Sequence, residues 1–222
     1  MIRDILLIAG KDLRIEGRSR IGVAQVLTFA LLVLLLFAFA LDPDRGVLQA
    51  ATPGLFWVTV LFASVLALQR NFGIEAEDGI IDALRLSGIA PASIYLGKVL
   101  ALIVQLAALE LVLVAAVAVF YNTDFHGVPL LVAIAEATTV GIAATGSIYG
   151  ALAARLRSRD TILPLLILPL LAPVLISATR GSEVALRGEA GTGWSWAALL
   201  GLFAGAYLVV GAVLFSPLLE DA

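Results

Sequence analysis

Apolar residues along this chain gather into six long runs separated by short polar breaks. They predict transmembrane helices at about 21–41, 52–68, 94–120, 129–154, 161–178 and 194–215. At roughly 1.5 Å per residue, runs of this length cross a hydrocarbon layer about 30 Å thick. The segment before the first run has a different period. With about 100° between successive residues, Ile2, Ile5, Leu6, Ala9 and Leu13 share one face, and Arg3, Lys11, Arg14 and Arg18 share the opposite one. Residues 2–18 are therefore expected to form an amphipathic helix in the headgroup plane, with its cations toward anionic lipid. Leu7 falls on the polar side, and a short soluble helix is the plainer alternative. The first run ends in Ala38-Phe39-Ala40, the form of a signal-peptidase site. Its apolar stretch exceeds the roughly 7–15 residues of a signal h-region and further spans follow, so a retained helix is expected.

Composition supports the membrane reading. Of 222 residues, 61% are hydrophobic and 14% charged, against about 25% charged in soluble domains. A soluble fold of this size has no way to bury so much hydrocarbon. The net charge of −3 says nothing about nucleic acid, but there is no basic stripe with interleaved aromatics, and no nucleic-acid partner is expected. With no cysteine and one histidine, the chain cannot build an ordinary zinc site, and no metal site is expected. It has no G-x-x-x-x-G-K-[ST] loop for ATP phosphates and neither H-E-x-x-H nor G-x-S-x-G. No catalytic residue is expected, and cofactor chemistry is assigned to a partner.

Charge sets the orientation. Eleven of the fourteen Lys and Arg lie in the N-terminal segment, between residues 70 and 98, and in the 155–159 turn; only Arg45, Arg180 and Arg187 lie in the alternate loops. The positive-inside rule then puts both termini in the cytoplasm. Residues 1–222 read as one transmembrane domain.

Four features are candidates for function. The first is the cytoplasmic segment 70–93. Its middle, Glu75 to Leu86, is expected to form a short helix, with Glu75, Glu77 and Asp78 in the first turns and Arg85 near the end, as the helix dipole favours. Gly88, Pro91 and Ser93 would stop it. Such a helix is what a permease offers to a cytosolic motor; a solvated connector is the alternative. The second feature is intramembrane polarity. Gln105 and Glu110 lie in the third span and Glu136 in the fourth, and both carboxyls fall in the outer half. Intramembrane carboxylates are costly and usually face a bundle interior or wet cavity. They mark either a substrate route or subunit interface, or protonated groups bonded to Thr138, Thr139 or backbone. Third, Pro164, Pro169 and Pro173 require the fifth span to kink or break, as a hinge or as fixed shape. Fourth, Gly146–Gly150 and Gly201–Gly205 are G-x-x-x-G patterns that permit close helix approach, within the chain or in a dimer. His126, in an outer loop, is a haem-iron ligand or simply a loop residue. Trp57, Trp194 and Trp196 are expected as anchors at the outer interface.

The whole chain resembles the CcmB family. The resemblance rests on Lys11-Asp12-Leu13-Arg14-Ile15-Glu16-Gly17-Arg18, on Trp57 leading to Ala67-Leu68-Gln69-Arg70, and on Glu75-Ala76-Glu77-Asp78-Gly79. Gly97-Lys98 and the block Leu168-Pro169-Leu170-Leu171-Ala172-Pro173-Val174-Leu175-Ile176-Ser177-Ala178-Thr179 extend it. It implies an all-α integral membrane protein, an ABC-2-like six-helix permease in the bacterial cytoplasmic (inner) membrane, acting in cytochrome c maturation. It also implies a CcmA-like ATPase partner that binds ATP, CcmC-like and CcmD-like membrane partners and a CcmE-like haem chaperone. Haem would be held by a partner or carried as substrate, and a permease dimer is expected. On this basis Glu75, Glu77, Asp78, Gly79, Asp82 and Arg85 form a coupling helix that docks on the ATPase. The work done would be haem export or ATP-driven release of the haem-loaded chaperone. An exporter of a lipid or glycan with the same architecture is the alternative.

Overall fold

The computed structural model describes residues 1–18, 20–41, 45–77, 88–153 and 159–220. Among these residues the chain is helical, in the order α1 (Ile2–Arg18), α2 (Arg20–Leu41), α3 (Arg45–Glu77), α4 (Pro91–Phe120), α5 (Val128–Ala153), α6 (Arg159–Leu186) and α7 (Ala190–Glu220). α2 to α7 contain six apolar stretches long enough to cross a membrane: Gly22–Leu41, Gly46–Gly73, Pro91–Phe120, Val128–Ala153, Thr161–Leu186 and Gly191–Pro217. α1 packs on the beginning of α4 and marks one end of the bundle, the α1 end. The turns at 121–127 and 187–189 lie at the far end.

Glycines set the closest helix approaches. A Cβ at Gly146 would stand 2.6 Å from Leu68 Cδ1, and one at Gly150 would run into the Phe72 ring. The first G-x-x-x-G pattern thus takes two side chains of α3 inside the chain, as such patterns allow. Gly201 and Gly205 meet nothing within 4 Å. Tyr95, fully buried, fits against Gly211, and its hydroxyl donates to the carbonyls of Ala144 (3.1 Å) and Tyr207 (3.0 Å). One phenol therefore ties α4 to α5 and α7. At the far end Tyr121 donates to the Leu34 carbonyl at 3.0 Å, which fastens the sparsely packed α2.

Several expectations need correction. The second span is longer than 52–68, and its helix continues without a break to Glu77. Glu75 and Glu77 therefore end a long helix instead of opening a short one, because nothing between Leu68 and Glu77 interrupts helical hydrogen bonding. Asp78, Gly79, Asp82 and Arg85 lie outside the described residues, as does the rest of the expected coupling helix. Pro91 opens α4 instead of closing a helix: it occupies the first turn, where a missing N–H costs nothing. The hydrophilic stretch expected as a loop from Arg180 is helical through Leu186, with Glu183 bridging Arg180 at 3.0 Å and Arg187 one turn on. Gly188 (φ +78°) then ends it, with Glu189 N–H on the Val184 carbonyl and Gly188 N–H on that of Ala185. Pro164, Pro169 and Pro173 lie within α6 and do not break it; Ser177 bonds the Pro173 carbonyl at 2.8 Å. Trp57 is not an interfacial anchor. It is 2% exposed, and its indole donates to Ser182 at 3.0 Å, because a buried indole needs an acceptor. Trp194, at the far end, is exposed.

Candidate functional site

The charged residues of α1 do not all face outward. On the helical wheel Ile5, Ile8, Ala9, Asp12 and Glu16 fall together, and this is the face turned to the bundle: Ile8 and Ala9 are buried, and Ile5, Asp12 and Glu16 partly so. Ile2 and Leu6 are exposed on a second face, and Arg3, Arg14 and Arg18 on a third. α1 thus has three faces, protein, apolar and basic, where two were expected. Gly97 makes the contact possible: a Cβ there would lie 2.6 Å from Ile8 Cβ.

The protein face of α1 meets two cations. Lys98 of α4, 6% exposed, reaches Asp12 at 3.7 Å and stands 5.3 Å above the Phe72 ring. Lys11 approaches Asp12 from the other side, at 2.8 Å. Arg70 of α3 lies 3.5 Å from Glu16, and its guanidinium fills the place a side chain at Gly22 of α2 would take. Burial pushes the Glu16 carboxyl above its ordinary range, and the positive charge of Arg70 only partly offsets this. Next to Arg70, Asn71 donates to Gln105 Oε1 of α4 at 3.0 Å. A cavity of about 30 Å³ lies among Asp12, Asn71, Phe72 and Lys98. Residues 70–72 are therefore held by α1, α2 and α4 a few residues before α3 ends at Glu77. Gln105, expected as an intramembrane polar residue, belongs to this clamp. Asp12, Glu16, Lys98 and Asn71 were not predicted as site residues, although three of them lie in the motifs that carry the family resemblance.

The two intramembrane carboxyls separate. Glu110 is buried and receives a hydrogen bond from Thr139 at 2.6 Å, which joins α4 to α5. Glu136 is exposed on α5, one turn from Thr139. His126 is exposed in the far-end turn, and no cluster of metal-ligating side chains occurs among the described residues.

A lateral groove of about 710 Å³ opens in the α1-end half between α2, α3 and α6. Phe29, Phe62, Val65 and Leu168 line it with Pro164, and Gln25 and Thr28 are its polar members. That volume lies in the range of small-molecule sites.

The family model described as CcmB protein matches residues 3–219. A heme exporter protein B of Pseudomonas aeruginosa is 32% identical over 188 residues, covering 84% of this chain and 84% of the relative. One of Paracoccus denitrificans is 33% identical over 182 residues, 82% of each. One of Haemophilus influenzae is 30% identical over 214 residues, 96% of this chain and 93% of the relative.

Proposed function

This chain belongs to the CcmB family, and from that premise we propose that it is the membrane subunit of a haem-exporting ABC assembly that serves cytochrome c maturation. It carries no ATP chemistry of its own: a separate CcmA-like ATPase hydrolyses the nucleotide at the α1 end, which faces the cytoplasm of a bacterial inner membrane. CcmC-like and CcmD-like membrane proteins and a CcmE-like chaperone complete the assembly. The work done is haem export or release of the loaded chaperone.

The observation that carries this reading is the clamp at residues 70–72. α3 runs unbroken to Glu77, so the segment that follows starts from a helix gripped by α1, α2 and α4 through Glu16–Arg70, Arg70 against Gly22, and Asn71–Gln105. A push on residues 75–85 by a docked ATPase would be delivered to three helices at once. The lateral groove supports an apolar cargo or a lipid-facing entry for one.

The test is to tag the chain, extract it gently from membranes, and identify by mass spectrometry what comes with it. Co-purification of a Walker-motif ATPase together with a haem-handling membrane protein is the expected outcome. An ATPase accompanied by lipid or glycan enzymes would keep the architecture and overturn the haem role. The double variant Glu77→Lys/Asp78→Lys is expected to insert normally but lose the ATPase and cytochrome maturation. Normal ATPase binding in that variant would remove the coupling role of residues 75–85.

A further inference from the structure

Glu136 is the ninth residue of α5, about 12 Å along the helix from its far-end start at Val128. α5 has 26 residues, about 39 Å, so centred on a core about 30 Å thick it holds the Glu136 Cα roughly 7 Å inside the hydrocarbon. The residue is exposed there, on the same strip as the exposed Val132 and Pro129. Nothing among the described residues gives its carboxyl a hydrogen bond or an ion pair. Glu110, the other intramembrane glutamate, is buried against Thr139. A bare carboxyl on a lipid-facing strip is costly. A chain that keeps one there has a use for it outside its own fold.

We infer that the Glu136 strip of α5 docks a transmembrane helix of another polypeptide, one that presents a lysine or arginine at this depth. Charge complementarity selects this occupant. A second copy of the chain would bring a second Glu136 against the first, and two carboxylates in hydrocarbon repel. Two of the chain's own cations in the far-end half, Arg180 and Arg187, both engage Glu183. Val132 and Pro129 supply a smooth apolar flank, and the ion pair in low dielectric fixes register. The contact rests on the chain's working within a multi-subunit membrane complex, and is indifferent to whether haem or another cargo moves.

The test uses the full assembly in native membranes. Val132→p-benzoyl-phenylalanine, one turn from Glu136 on the same exposed strip, is photo-crosslinked, with Leu202→p-benzoyl-phenylalanine on the exposed face of α7 as control. The expected product is an adduct specific to position 132, mapped by mass spectrometry to a transmembrane helix with Lys or Arg within two turns of the crosslink. Glu136→Lys is then expected to lower co-purification of that protein at least tenfold, and replacing the partner's cation by Glu is expected to restore it. An adduct with a second copy, or with lipid alone, overturns the inference, as does undiminished association of Glu136→Lys. If Glu136→Lys fails to fold, the crosslink arm decides alone. ATPase co-purification is followed in every sample: its loss throughout would count against the proposed function, whereas loss of the adduct alone counts against the Glu136 contact.

Discussion

Lys98 of α4 lies 3.7 Å from Asp12 of α1, and the two side chains are only 7% and 15% exposed. An ion pair this far from water is held as much by the cost of separating its members as by their attraction. Lys11, 2.8 Å from Asp12, still faces the carboxylate when Lys98 is removed, so the cost should fall below the roughly 3–5 kcal/mol of a wholly uncompensated buried charge. Lys98→Met is still expected to lower the thermal unfolding midpoint in detergent. Lys98→Met/Asp12→Leu, which removes both charges, should recover most of the loss. Equal destabilisation in the single and double variants would show that the pair does not matter.

Gly97 tests the same junction through space instead of charge. A Cβ at this position would stand 2.6 Å from Ile8 Cβ and 3.0 Å from the Ile5 carbonyl oxygen, which is backbone and cannot swing away. Gly97→Val is expected to lift α1 off α4 at a cost of about 1–3 kcal/mol while leaving the six spans inserted. Hydrogen exchange should then rise across residues 2–18 and stay unchanged in α5. Protection of α1 at the native level would contradict the packing described.

The six spans were legible because lipid imposes one rule on every segment, a length of apolar residues, and that rule is local. What lay beyond reach was non-local. Trp57 has the look of an interfacial anchor until Ser182, 125 residues away, is seen to accept its indole hydrogen bond. Glu110 and Glu136 were indistinguishable in the sequence because depth is set by position along a helix, whereas exposure depends on which neighbours cover which face. The clamp was half legible. Asp12 and Glu16 stand four residues apart on the face that also holds Ile5 and Ile8, and carboxylates in register with buried apolar positions signal a helix turned to protein. Reading α1 as two-faced concealed this, since its exposed leucines satisfied the apolar side.

Glu16 predicts a pH dependence. Burial raises its pKa above the ordinary value of 4.5, and the Arg70 charge opposes the shift without cancelling it. A carboxyl whose pKa is higher in the folded state contributes stability below its unfolded pKa and loses it as pH rises through the folded value. The docking of α1 is accordingly expected to weaken between pH 4.5 and the raised value and then level off. Glu16→Gln should flatten that slope. Thermal unfolding of both proteins at half-unit pH steps checks this; identical slopes would mean that another group titrates.

Glu110 separates structural from transport roles for the buried intramembrane carboxyl. Thr139 donates to it at 2.6 Å between two buried side chains, α4 to α5. Glu110→Gln keeps an acceptor oxygen for that hydroxyl and removes only the capacity to ionise, so stability should change by less than about 1 kcal/mol. Glu110→Leu removes the acceptor and should cost about 1–3 kcal/mol, less whatever Thr139 recovers by bonding the Ala135 carbonyl. If the residue only joins two helices, c-type cytochrome levels should follow stability: near normal in Glu110→Gln and reduced in Glu110→Leu in proportion to the protein remaining. Full loss of cytochrome maturation in a well-folded Glu110→Gln would instead assign the carboxyl's charge or proton to the transport step.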